Sequence, residues 1–125
     1  MTQIQLKRVY ADASGSDSED GFRIYIDRLW PRGESKAQFR YDLWAKDAAP
    51  STALREWYHA DRTGRRDEFA RRYMAELETN PAAKALAEEA GRHALVTLLY
   101  SSREGEATNA SVLAEYLRGR IGGKN

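Results

Sequence analysis

A small α/β domain is what this sequence predicts: a mainly parallel sheet of three or more strands, flanked by about four helices. Three observations lead there. Two β-rich runs lie in the first quarter of the chain and a third near residue 97. Helical periodicity fills most of the interval between them and returns near the C-terminus. The order strand, strand, helices, strand, helix belongs to α/β folds and not to helical bundles.

Residues 4–10 (IQLKRVY) set Ile4, Leu6 and Arg8 against Gln5, Lys7 and Val9, an imperfect period of two. Residues 11–21 (ADASGSDSEDG) are loop-like in their Ser, Asp and Gly content. Residues 22–30 (FRIYIDRLW) alternate more firmly, with Phe22, Ile24 and Ile26 on one face and Tyr25 and Leu29 on the other. Residues 33–46 carry no clear period, although Phe39, Tyr41, Leu43 and Trp44 point to partial burial. Ser51, after Pro50, suits the N-cap of a helix over 52–59 that carries Leu54, Trp57 and Tyr58. A second helix, over 66–78, repeats Phe69, Tyr73 and Leu77 at four-residue steps. Asn80-Pro81 supplies the cap and first turn of a third, which Gly91 ends.

The run at 94–100 (ALVTLLY) is almost continuously apolar, as in a strand covered on both faces of a parallel sheet flanked by helices. Thr108 or Asn109 then opens a last helix with Val112, Leu113, Tyr116 and Leu117. The chain between Trp30 and Ala94 is ample for a crossover, so the second and third strands are expected to be parallel neighbours or near neighbours. The shorter connection after the first strand leaves its direction open, hairpin or crossover. One domain over 1–121 is expected, followed by a flexible tail at 122–125.

Composition narrows the function classes. The chain of 125 residues has no cysteine, which excludes disulfides, thiolate nucleophiles and thiolate metal sites. No apolar run reaches signal-peptide or membrane-spanning length, so a soluble cytoplasmic protein without membrane contact is expected. Lys and Arg exceed Asp and Glu by 20 − 19 = +1, too little to draw in nucleic acid globally. Five arginines between Arg62 and Arg72 face only Asp67 and Glu68, which reads as a solvated helix face with compensating pairs.

Ligands of open parallel sheets bind beyond the carboxyl ends of the strands. Here those ends are 27–33 (DRLWPRG), the stretch from Tyr100 and Ser101 to Arg103, and, if the first strand is parallel, Arg8 and Tyr10. The candidate anion-binding residues are therefore Arg8, Arg28, Arg32, Tyr100, Ser101 and Asn109, with Arg103 on the same rim. Guanidinium forks match phosphate or carboxylate, and the amides opening the last helix add a positive end. Asp27 is the candidate catalytic residue, a general base if burial raises its pKa; alternatively it holds the turn by pairing with an arginine. His59, at a helix end, and His93, before the last strand, fit structural and surface roles. Neither histidine has metal-ligand spacing, and GxGxxG, GxxxxGK[ST] and GxSxG motifs are absent, so no metal or cofactor is expected. Trp30, Trp44 and Trp57 fit core positions better than base stacking.

The runs 7–10 (KRVY), 20–23 (DGFR), 27–33 (DRLWPRG), 44–46 (WAK), 49–51 (APS), 54–55 (LR) and 98–101 (LLYS) resemble the YeaO-like branch of the family called domain of unknown function 488. The resemblance extends from about residue 4 to residue 117. It implies a compact α/β domain, and it supports a shared rim around Asp27, Arg28, Pro31 and Arg32. One departure matters: where YeaO-like sequences commonly read Asn-His-Ala before the last helix, this chain reads Thr108-Asn109-Ala110.

The function expected on these grounds is binding of an anionic small molecule, a phosphate, nucleotide or carboxylate, at the C-terminal edge of the sheet. The alternatives are a nucleic-acid-associated module built on the arginines between 62 and 72, and a non-catalytic homodimeric interaction domain.

Overall fold

In the computed structural model, which describes residues 2–15, 19–102 and 108–122, four parallel strands lie in the order β1-β4-β2-β3. They are β1 (Gln3–Arg8), β2 (Phe22–Tyr25), β3 (Leu43–Trp44) and β4 (Leu95–Tyr100). The apolar run LVTLLY takes the centre, paired with β1 from Gln3↔Leu95 to Arg8↔Tyr100 and with β2 from Phe22↔Val96 to Tyr25↔Leu99. The second and third predicted strands are thus parallel neighbours. The first is parallel too, which settles its direction.

Two strands stop earlier than their patterns suggest. β1 ends at Arg8, and Val9–Ala11 form a turn of 3-10 helix that buries Val9 completely. β2 ends at Tyr25 instead of reaching Trp30, after a last ladder-like bond from Ile26 N to Leu99 O. Leu29 does not share a buried face with Tyr25: it is 67 % exposed, because the chain has left the sheet. β3 lies in the segment without periodicity, since two residues are too few to establish a period.

The helices are α1 (Thr52–His59), α2 (Arg66–Thr79), α3 (Pro81–Ala90) and α4 (Thr108–Gly122). Ser51 caps α1 by accepting from Leu54 N at 3.2 Å, and Asn80 caps α3 by accepting from Ala82 N at 2.9 Å. Gly122, expected in the tail, closes α4, and residues 123–125 lie outside the described residues, as does Arg103. None of the described helices is long and apolar enough to cross a membrane.

The two faces of the sheet are covered differently. Ile4, Ile24, Val96 and Leu98 face a large core shared with Leu54, Phe69, Tyr73, Leu86, Leu113 and Leu117 from all four helices. The opposite face, with Tyr25 and Leu99, is covered by aromatic side chains: Phe39, Trp30 and Tyr41 of irregular chain and Trp44 of β3. Trp30 packs edge-on against Phe39, Tyr41 and Trp44 at centroid distances of 5.4–5.8 Å. The sheet is therefore buried on both sides as its composition requires, but helices supply only one of the two covers.

A charged cluster completes the second cover. Arg23 is fully buried and forms an ion pair with buried Asp20. Its remaining donors reach Arg40 O at 2.9 Å, Asp12 O at 3.0 Å and Ala13 O at 3.2 Å. Lys7 Nζ bonds Asp20 at 3.0 Å and Asp12 at 3.3 Å. Burial works against the Lys7 charge, but the two carboxylates outweigh it and its pKa lies above the ordinary value. The acidic loop after β1 is thereby fastened to the sheet through its carbonyls and carboxylates.

Candidate functional site

Because the strands are parallel, their C-terminal ends share one edge, and a cleft of about 350 Å³ opens there. Four stretches of chain line it: Tyr10 after β1, residues 27–30 with Arg32 after β2, Ser101 and Ser102 after β4, and Asn109 in the first turn of α4. A fifth contribution comes from α1 and its surroundings, through Ala49, Pro50, Arg55, Tyr58, His59 and Arg62.

The DRLWPRG run builds this edge largely through its backbone. Asp27 Oδ2 accepts from Ser101 N at 2.9 Å and from Ser101 Oγ at 2.6 Å, tying the ends of β2 and β4 together. Its carbonyl accepts from Trp44 Nε1 at 2.7 Å, which adds β3. The Leu29 carbonyl receives the Tyr25 hydroxyl at 2.6 Å. Burial, reinforced by the Asp27 charge, pushes the Tyr25 pKa far up, so this phenol remains a donor. Trp30 Nε1 donates to Glu34 O at 2.6 Å, and the Arg32 carbonyl accepts from Tyr10 OH at 2.8 Å. Gly33 takes φ +84°, a left-handed turn that glycine accommodates without strain.

The expected rim residues divide into two groups. Asp27, Arg28, Arg32, Ser101 and Asn109 come together on the cleft. Arg8 does not line it: its guanidinium donates to Ser102 O at 2.6 Å and Ser101 O at 3.5 Å and lies 4.8 Å above the Tyr10 ring. Tyr100 is buried in the core beneath the edge and does not line the cleft. Asp27 binds Ser101 and, among the described residues, no arginine, so the turn is held by a hydroxyl and an amide.

Arg55, His59 and Arg62 are polar lining residues that the sequence reading did not assign to this rim. A one-helix pattern could not reveal that the polar side of α1 closes this edge. His59 lies exposed on the cleft, while His93 stacks on Phe22 at 3.8 Å and meets Glu89 at 3.1 Å, far from it. The arginines between 62 and 72 are dispersed: Arg65 and Arg72 lie 4.7 and 4.2 Å over the Trp57 ring, and Arg71 and Arg72 pair with Glu68.

Two donors in the cleft wall are unusual. Among the described residues, the buried side-chain nitrogens with no hydrogen-bond partner are the Nε atoms of Arg28 and Arg55. Both residues line the cleft. Arg28 otherwise makes one long bond, from Nη2 to Pro50 O at 3.4 Å. Arg28, Arg32, Arg55 and Arg62 face Asp27 as the one carboxylate among the described lining residues. Among the described residues, no group of three or more His, Cys, Asp or Glu is placed to hold a metal ion.

A profile described as the inactive DUF488-N3 subclade matches residues 3–125. An uncharacterised protein of Mycobacterium tuberculosis strain H37Rv is 43 % identical over 119 residues, covering 95 % of this chain and 97 % of the relative. The uncharacterised YeaO of Escherichia coli K12 is 43 % identical over 116 residues, covering 92 % and 96 %. No solved structure gives a significant match. With residues 3–125 matched in this way, the chain belongs to the family of domain of unknown function 488, in the subclade described as inactive DUF488-N3.

Proposed function

We propose that this protein binds a small anionic molecule, carrying a phosphate or carboxylate group, in the cleft at the C-terminal edge of its sheet, and that it does so without turning the ligand over. The observation that carries this reading is the pair of unpartnered buried Nε donors of Arg28 and Arg55. A buried donor without a partner costs about 1–3 kcal/mol. Two such costs in one cleft wall make sense where an acceptor arrives from outside. An anion seated between the two guanidinium groups supplies that acceptor, with Asn109 and His59 as further donors of the same lining.

Binding without chemistry is the economical form of this reading. Asp27 spends one carboxylate oxygen on the Ser101 amide and hydroxyl, so its role is to position the β2 and β4 ends. Asn109 lines the cleft at the place where the YeaO-like resemblance sets a histidine, and an amide cannot relay a proton as imidazole does. The word inactive in the family description accords with both points.

Isothermal titration at low ionic strength with inorganic phosphate and adenosine monophosphate tests the proposal. The wild type is expected to bind at least one of them, and an Arg28→Met, Arg55→Met double variant to lose most of that affinity while remaining folded. Absence of any heat or thermal stabilisation in the wild type would overturn the reading.

A further inference from the structure

Resting on the proposed anion site, we infer that the ligand is not a bare anion but one joined to a flat ring, of the nucleoside monophosphate class, with the ring lodged against Tyr10 and Leu29. Three large apolar side chains are exposed among the described residues, Leu6, Tyr10 and Leu29, and two of them line this cleft. Scattered apolar residues on a surface need no explanation. Two beside one concave site, next to the donors that would hold a charge, divide it into a polar part and an apolar part.

Tyr10 is prepared for such a contact. Its hydroxyl is anchored to the Arg32 carbonyl at 2.8 Å, and the Arg8 guanidinium lies over the ring, itself fixed by the Ser101 and Ser102 carbonyls. The ring is thus held at its tip and by a cation over its π system before any ligand arrives, so little freedom is lost on stacking. The Leu29 backbone is held through its carbonyl, which accepts from the buried Tyr25 hydroxyl, while the residue stands 67 % exposed. Nothing in the core requires an apolar side chain at that place.

Size agrees. The cleft of about 350 Å³ falls within the range of roughly 300–1,000 Å³ typical of small-molecule sites. That is several times the space a lone phosphate fills, and it suits an anion with a ring attached. The arginines then fix the charged end and the apolar pair selects what is attached to it, the division of labour common in such pockets.

Titration with inorganic phosphate, ribose 5-phosphate and adenosine monophosphate, on the wild type and on Leu29→Ser and Tyr10→Ser variants, separates this inference from the reading it rests on. The wild type is expected to hold adenosine monophosphate about tenfold or more tightly than the other two, in line with one aromatic stacking contact. The two variants are expected to lose that preference while their affinity for inorganic phosphate stays within about twofold. Equal affinity for all three ligands in the wild type overturns the ring, yet leaves the anion site standing. Failure of all three to bind removes both.

Discussion

Arg23 and Arg55 are both arginines with buried nitrogens, and their circumstances are opposite. Arg23 is wholly enclosed, and its Nε, Nη1 and Nη2 each find an acceptor in Asp20 or in carbonyls of three other residues. Breaking that arrangement leaves Lys7 as the one cation on buried Asp20 and strips three carbonyls of their donor, so Arg23→Met is expected to lower the stability by about 3–5 kcal/mol in urea unfolding. Arg55 keeps a buried Nε without a partner. Arg55→Met is expected to leave the ligand-free protein as stable as the wild type or up to about 1–3 kcal/mol more so, while weakening phosphate binding. A marked fall in ligand-free stability would assign Arg55 to the fold instead. Lys7 adds a pH dependence. Its native pKa is raised, so its contribution is complete below the ordinary lysine value of 10.5 and is lost as the pH climbs through the higher native value. The urea midpoint should therefore fall above about pH 10.5, and less steeply in Lys7→Gln. Neither arginine's role was visible in its sequence neighbourhood: Asp20 is only three positions from Arg23, but the carbonyls that complete its shell stand 10–17 positions away, and the place of Arg55 on the cleft depends on how α1 packs.

Among the elements, β2 and α1 carry the clearest expectations. Gly21 enters β2 at φ +64°, with its backbone so close to β4 that an added Cβ would strike the Leu95 carbonyl oxygen. Gly21→Ala has to strain the backbone and push β2 away from β4, and a loss of well over 1 kcal/mol is expected, read as a lowered melting temperature. At the start of α1, Ser51 does more than cap the helix. Its amide and hydroxyl both donate to the Glu76 carboxylate of α2, at 2.9 and 2.6 Å. Glu76→Ala is expected to cost about 1.5–3 kcal/mol and to loosen the stretch whose Pro50 carbonyl receives Arg28. The α1 cap was legible, since Ser after Pro at the head of an apolar-periodic run is a local signal. The Glu76 clasp was not, being 25 residues distant. The premature end of β2 belongs to the same class: Asp27, Leu29 and Arg32 leave the ladder because their groups are engaged by Ser101, Tyr25 and Tyr10.

At the scale of the molecule, one sheet holds two unlike covers together. The helical core and the aromatic cover share β2 and β4, through Ile24 and Leu98 on one side and Tyr25 and Leu99 on the other. Neither cover can detach without exposing the central strands. Urea unfolding followed by tryptophan fluorescence, which reports Trp30 and Trp44 in the aromatic cover and Trp57 beside the helical core, is expected to coincide with loss of helical circular dichroism. Fluorescence changing first would identify the aromatic cover as an independent unit.

The sequence by itself determined what local chemistry can specify. Apolar continuity made residues 95–100 a central strand, four-residue periodicity and capping residues placed α1, α2 and α3, and the parallel order put a candidate rim at the strand ends. Tertiary structure decided which side chains on that rim meet. It drew Arg8 onto the Ser101 and Ser102 carbonyls, buried Tyr100 and brought Arg55, His59 and Arg62 from α1 and its end to the cleft. The reason is physical. Helices and strands follow from periods of a few residues, whereas a guanidinium's partner is set by whichever acceptor the packed chain delivers within 3 Å or so, and no short-range pattern encodes that meeting.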